Sequence, residues 1–265
     1  MKQENKEAIY NFLEYLYNFY NKKEYIYSDP IRFPHEIKGD TEFIAFTAAS
    51  FAYGNMKAIQ GFLYKYFENA GTTVADLNTD VNDILYYRFQ TKEDVAAYSI
   101  LMKRVYEKYG SLYELFKAAG AVSIANIDKG IILLRSYLDN ITQGLNFLLP
   151  VPGKSASKRL YMFLRWMVRK DDVDFGFWSE FDKTSLYMPT DTHILRLAGN
   201  LGIIDKNEKG RKAVIKVTEF FRELNIEDPA KYDFSLTRLG IISGCQYSES
   251  SVCEKCFHKK VCLFY

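Results

Sequence analysis

Cysteine is missing from residues 1–244 of this 265-residue chain; all four cysteines fall in the last 21 positions. A disulfide framework spread through the fold is therefore excluded, and cysteines grouped in this way read as metal ligands. Excess charge of one sign is also missing. With 35 Lys and Arg against 33 Asp and Glu the net charge is +2, so a nucleic-acid surface has to come from local clustering of basic residues. No apolar run approaches the ~18 residues of a membrane span. The polar start, Met1 to Asn5, has no secretory signal character. These absences give the expectation of a cytosolic protein with no membrane association. There is no internal repeat, no low-complexity segment and no convincing series of strands. What is present is apolar content, 48% with 16% aromatic, enough for a sizeable core in one large domain or two small ones.

The periodicity is helical almost throughout. Ile9, Phe12, Leu13, Leu16 and Phe19 share one helix face, and Asp29-Pro30 breaks the pattern. Asp40 caps a helix from Thr41 that Gly54 ends, and Met56 to Asn69 forms the next, ended by Gly71. Thr91 with Asp94 and Ser111 with Glu114 read as capping boxes, with Gly110 and Gly120 as stops. Further helices are predicted over 124–139, 155–170, 191–200, 208–224 and 229–243, with a break at Val151-Pro152-Gly153 and an irregular stretch from Asp171 to Pro189. The predicted class is all-α.

Cys245, Cys253, Cys256 and Cys262 have the spacing C-x7-C-x2-C-x5-C. The Cys253/Cys256 pair can grip one metal centre from a single turn, and the flanking cysteines complete four thiolates. Four thiolates suit a 4Fe-4S cluster or a tetrahedral zinc, and spacing leaves both open. His258, inside the loop, is expected in solvent.

This tail resembles the cluster loop of endonuclease III and the related adenine glycosylase, C-x6-C-x2-C-x5-C, with a first gap one residue longer here. Pro189-Thr190-Asp191-Thr192-His193-Ile194-Leu195-Arg196 is similar to the segment carrying the catalytic aspartate of that family, which falls on Asp191. The same residue is well placed as a helix N-cap, and the two roles are compatible. Leu149-Pro150-Val151-Pro152-Gly153-Lys154-Ser155-Ala156-Ser157-Lys158 stands where the family has its phosphate-gripping hairpin, with three extra residues before the lysine. Gly153, Lys154, Ser155 and Ser157 are the hairpin candidates for DNA contact. Lys158 matches the catalytic lysine of bifunctional members, with Lys154 as its rival. On the helix that follows, Leu160, Phe163, Leu164 and Met167 form an apolar stripe, while Lys158, Arg165 and Arg169 lie on another side. Arg159 and Arg165 are candidates for DNA contact and for placing positive charge near Lys158. Asn55, in Ala52-Tyr53-Gly54-Asn55, stands where this superfamily has a loop that fills the gap left by a flipped nucleotide. The chain also resembles a widespread bacterial family of uncharacterised proteins with R-F-P-H, A-Y-G-N, F-L-R-W-M-V-R-K and D-T-H elements, here Arg32–His35, Ala52–Asn55, Phe163–Lys170 and Asp191–His193.

The resemblance implies a two-lobed helix-hairpin-helix DNA glycosylase fold. One lobe would cover 41–186, the other 1–40 with 187–265, including a structural 4Fe-4S cluster (zinc being the alternative) that presents Lys255, Lys259 and Lys260 to phosphates. It implies a monomeric, nucleoid-associated bacterial repair enzyme acting on double-stranded DNA with a damaged base, as glycosylase and β-lyase. Lys158 and Asp191 lie 33 positions apart, a separation similar to that of archaeal 8-oxoguanine glycosylases. Oxidised guanine is therefore the first expectation for the lesion and oxidised pyrimidine the second. Phe175, Phe177 and Trp178, in the inserted stretch, are aromatic candidates for a base pocket. The rival readings are a non-catalytic nucleic-acid-binding protein on the same scaffold and a zinc-stabilised interaction module.

Overall fold

The computed structural model describes residues 3–80, 85–153 and 155–264. Among these residues the helices are α1 (Gln3–Tyr20), α2 (Arg32–Glu36), α3 (Thr41–Ser50), α4 (Met56–Ala70), α5 (Lys92–Tyr109), α6 (Leu112–Ala118), α7 (Ile127–Arg135), α8 (Gln143–Leu148), α9 (Lys158–Val168), α10 (Thr192–Asn200), α11 (Gly210–Leu224) and α12 (Asp233–Ile242). No strand is present among the described residues; two isolated bridges join Tyr87 to Gln90 and Lys170 to Phe175. The chain is all-α, as its periodicity predicts.

Side-chain caps set several helix starts. Asp40 accepts from Phe43 N–H at 3.2 Å. Thr91 and Asp94 form a reciprocal capping box at 3.2 and 3.0 Å, and Ser111 accepts from Glu114 N–H at 3.0 Å. Gly110 ends α5 in the left-handed region, at φ +79°. Each satisfies backbone groups that a helix end leaves orphaned. α3 stops at Ser50, before Gly54, where buried Phe51 turns the chain. The predicted 124–139 helix is shorter, and the six-residue α8, capped by Thr142 at 3.1 Å, was not anticipated. Six residues carry too little periodicity to register.

The chain divides into two compact units. The first holds residues 1–26, 156–175 and 182–265; the second holds 27–155 and 176–181. The sequence reading placed α9 with the central residues, whereas this division groups it with both chain ends.

In the first unit the core joins Ile9, Phe12, Leu13 and Leu16 of α1 to Ile194 and Leu197 of α10, Val217 and Phe221 of α11, and Leu236 and Leu239 of α12. α9 is enclosed on every side from Tyr161 to Val168. That corrects the expectation for Arg165 and Arg169, which are 1% and 3% exposed. Arg165 pairs with Asp233 at 2.5 Å and Asp174 at 3.2 Å. Arg169 pairs with Asp171 at 3.0 Å, Asp228 at 2.9 Å, and Asp174. A buried guanidinium left without partners would cost several kcal/mol, about 3–5 on loss of one partner, so these arginines hold α9 to the C-terminal third and do not face a ligand. Burial first, then the Asp171 charge, pushes the Asp174 carboxyl up to about 7 against the pull of both guanidiniums.

In the second unit α3 is buried along its length from Phe43 to Ser50. Phe43 meets Phe67 edge-on, Phe46 stacks on Tyr98, and Phe51 packs against Phe62. Glu42, at the start of α3, accepts from Tyr106 OH and Leu112 N–H at 2.7 Å, Trp178 Nε1 at 2.8 Å and Tyr113 N–H at 3.0 Å. Trp178 is therefore a buried strut, 1% exposed and packed on Phe116 and Phe181, and not part of an open base pocket. Phe177 beside it is 54% exposed.

Candidate active site and cysteine cavity

Asp191 is the N-cap of α10. Its Oδ1 accepts from the backbone N–H groups of His193 and Ile194, both at 2.9 Å. That fixes the carboxylate plane and leaves Oδ2 directed elsewhere, 3.9 Å from the Lys158 ammonium. The aspartate side chain is 14% exposed and the lysine 36%. Lys158 opens α9, directly after Ser157, which adopts left-handed φ +46°. A non-glycine residue there costs backbone energy, of order 1–3 kcal/mol. A cation at a helix N-terminus gains nothing from the helix dipole, so the aspartate supplies the favourable contact for the ammonium. The two residues read as a catalytic pair in the sequence thus face one another, and the cap and ion-pair roles of Asp191 use different oxygens.

Behind Asp191 lies a shaped wall that the sequence reading did not identify. The His193 ring sits against Gly240 of α12, where an added Cβ would lie 2.1 Å from Nδ1. That Nδ1 is buried and makes no hydrogen bond. Burial holds His193 below the usual histidine range against the pull of Asp191, with smaller contributions from Arg196, Arg238 and Lys158 acting in the same direction as burial. Tyr247 closes the wall, donating to Leu236 O at 2.7 Å. Its hydroxyl is raised by burial first and then by the Asp191 charge. His193 was visible within the D-T-H motif; nothing local marked Gly240 or Tyr247.

The other expected contacts are distributed differently. Gly153, in the second unit, has φ +94° and open space where a Cβ would be, a conformation that calls for glycine. Ser155 of the same unit, and Ser157 and Arg159 of the first, are half-buried. Lys154 lies outside the described residues. Arg165 is removed from the set by burial. Asn55 is spent on capping α4, its Oδ1 accepting from Ala58 N–H at 2.8 Å.

Cys245, Cys253, Cys256 and Cys262 form no disulfide and line one small cavity of about 10 Å³. Backbone N–H groups point at two of the sulfurs, Tyr247 to Cys245 at 3.3 Å and Phe264 to Cys262 at 3.4 Å. Burial first, with the other three thiols adding, pushes the Cys245 thiol up to about 11. Among the described residues no group of three or more His, Cys, Asp or Glu is arranged to grip a single metal ion. His258 also lines the cavity but is not in solvent as expected: it is 1% exposed. Its two ring nitrogens are taken by Tyr20 OH at 2.8 Å and Tyr15 OH at 3.1 Å, so it pins the cysteine loop to α1 and has no nitrogen to spare for a metal. Lys255 and Lys260 are exposed.

The model of a family described as protein of unknown function (DUF2400) matches residues 29–242, and the chain belongs to that family. The match contains Lys158, Asp191, His193 and Gly240; the cysteine loop follows it. No curated protein and no solved structure matches the chain. Among the described residues no helix is long and apolar enough to cross a membrane.

Proposed function

We propose that the protein is a DNA base-excision glycosylase with β-lyase activity, of the helix-hairpin-helix kind, acting on an oxidised base such as 8-oxoguanine in double-stranded DNA. The observation that carries this reading is the Lys158–Asp191 pair. An amine at the first position of a helix and a carboxylate anchored by two backbone N–H groups stand 3.9 Å apart at a partly open surface.

A base within the stack cannot be reached, so the nucleotide is first extruded, at a cost of a few kcal/mol. As the glycosidic bond breaks, its electron pair leaves with the base and positive charge grows on C1′ and O4′. The fixed Asp191 carboxylate stabilises that charge without having to reorganise. Lys158 must lose a proton before it attacks, and Asp191 Oδ2 is a carboxylate oxygen one small side-chain movement away. The neutral amine bonds to C1′. Transfer of one of the two protons now on nitrogen to O4′, with opening of the sugar there, gives the protonated imine, and removal of a C2′ proton then expels the 3′ phosphate. His193, kept neutral by burial, adds no competing positive charge beside Asp191.

Cys245, Cys253, Cys256 and Cys262 would hold a 4Fe-4S cluster, which supplies structural cross-linking of the tail. The resemblance of the tail to the cluster loop of endonuclease III favours a cluster over zinc. Amide donors aimed at the Cys245 and Cys262 sulfurs suit thiolate ligation of either group.

The test is a panel of single-lesion duplexes incubated with the protein and borohydride. Wild type should be trapped covalently on one lesion. Lys158→Ala should abolish trapping, and Asp191→Asn should slow base release with little effect on binding. Absence of any adduct or free base across the panel would refute the reading, and an adduct surviving Lys158→Ala would move the nucleophile to Lys154.

A further inference from the structure

The segments that present Lys158 and Asp191 also hold a guanidinium, all within the first unit. Tyr161 follows Lys158 by three positions on α9, so the two are neighbours on one helix face, about 4.5 Å apart along its axis. Tyr187 precedes Asp191 by four positions in the chain that leads into the α10 cap. The two tyrosine rings pack at 5.1 Å, tilted by 50°. Arg211, in the first turn of α11, donates from Nη1 to Tyr161 OH at 2.6 Å and lays its guanidinium 5.1 Å from the centre of the Tyr187 ring. Tyr161 is buried, whereas Tyr187 and Arg211 are half-buried.

Helix energetics do not account for a cation at this point. The positive end of a helix dipole disfavours arginine in the first turn. α11 has no acidic residue in that turn, and its N-cap, Lys209, makes no side-chain cap bond. Lys209 and Lys212, on either side of Arg211 in the chain, are exposed. Glu208, the nearest acid before it in the chain, is engaged by Lys216 at 2.8 Å. Stacking on Tyr187 and the bond to Tyr161 together fix the plane of a fork of N–H donors whose geometry matches phosphate.

We propose that Arg211 stabilises the phosphate that leaves in the β-elimination, a role that rests on the glycosylase and lyase function proposed above. In that step the C2′ proton passes to water. Its electron pair becomes, by way of the enamine, the C2′=C3′ bond, and the C3′–O3′ pair leaves with the phosphate. The singly charged phosphodiester departs as a monoester and gains a second negative charge. C3′ is separated from C1′ by C2′ alone, so the leaving phosphate stays near the lysine that holds the sugar. A guanidinium beside the departing oxygen counts for more in that transition state than in the bound substrate, because the charge it meets is still growing. Base release has no such requirement: its charge is positive and develops at C1′ and O4′, beside Asp191. Arg211 therefore acts on strand cleavage and not on imine formation.

The test uses a duplex with one natural abasic site, which takes base release out of the reaction. Borohydride trapping reads the imine with Lys158, and strand nicking without borohydride reads the elimination. Arg211→Ala should nick about 100-fold more slowly than wild type and be trapped as wild type is, which also shows that it is folded. Arg211→Lys, keeping the charge without the fork, should recover part of the loss. Tyr161→Phe, which removes only the anchoring hydroxyl, should lose less than Arg211→Ala. Nicking by Arg211→Ala at the wild-type rate would overturn the leaving-group role. Equal losses of trapping and nicking in Arg211→Ala and Arg211→Lys would overturn it too, assigning Arg211 to binding or folding. With Lys158-dependent trapping of wild type intact, either result leaves the glycosylase reading standing. A wild type that is neither trapped on the duplex nor nicks it overturns both.

Discussion

Gly240→Ala is a substitution whose sign depends on tertiary contact alone. In the interior of an exposed helix, glycine to alanine stabilises by about 1 kcal/mol. On α12 the new methyl would lie 2.1 Å from His193 Nδ1 and 2.6 Å from Tyr247 OH, where ordinary contact begins near 3.4 Å. The imidazole must therefore retreat by more than an ångström, and the tyrosine must strain or lose its 2.7 Å bond to Leu236 O. Overpacking of this kind costs about 1–3 kcal/mol and the lost hydrogen bond about 1 kcal/mol. Against the propensity gain, the net is a destabilisation of about 1–3 kcal/mol, or roughly 2–10 °C in Tm for a chain of this size. Urea melts of wild type, Gly240→Ala, His193→Ala and the double variant would measure it. Deleting the ring should open space for the methyl, giving a coupling of about 0.5–3 kcal/mol between the two positions. Because His193 N–H also helps fix Asp191, Gly240→Ala should slow borohydride trapping as well. A neutral or stabilising Gly240→Ala, or additive single variants, would refute the close approach of α10 and α12.

Cys256→Ser should strip the brown colour and iron from protein purified without oxygen and loosen the tail; unchanged metal content would remove Cys256 from the ligand set, and one zinc per chain would replace the cluster. Asp174→Asn tests the buried ion network. The wild-type carboxyl titrates near 7 when folded and at its ordinary, lower value when unfolded, so the folded chain binds more protons across that interval. Stability from this group is present at mildly acidic pH and falls as pH rises from about 4 to about 7. With Asp171, Asp228 and Asp233 still facing the two arginines, the variant should flatten that part of the profile while losing overall stability, because both buried guanidiniums lose a partner. Parallel profiles for the two proteins would show that Asp174 is already ionised at pH 5.

The features legible in the sequence are those decided within a few residues. The Asp40, Thr91/Asp94 and Ser111 caps and the cap position of Asp191 each join a side chain to a backbone group at most three positions away, and the Gly110 stop rests on that residue's own left-handed φ. The apolar face of α1 and the all-α class follow from the same short-range periodicity. The cysteine spacing is local too, and it named four residues that line one cavity. What needed the tertiary structure is decided by partners far along the chain. Arg165 and Arg169 fall on another side of the helical pattern from its apolar stripe, which made Arg165 a candidate for DNA contact. Their burial depends on Asp228 and Asp233, about sixty positions later. His258, expected in solvent, is buried because Tyr15 and Tyr20, over two hundred positions earlier, complete its hydrogen bonds. A polar side chain's own neighbours do not reveal whether water or another polar group will satisfy it. For the same reason the meeting of Lys158 with Asp191, the room at Gly240 and the Arg211 guanidinium held by Tyr161 and Tyr187 are properties of the packed chain: helix pattern gives each element a face to bury, and only the assembled helices decide which side chains that burial brings together.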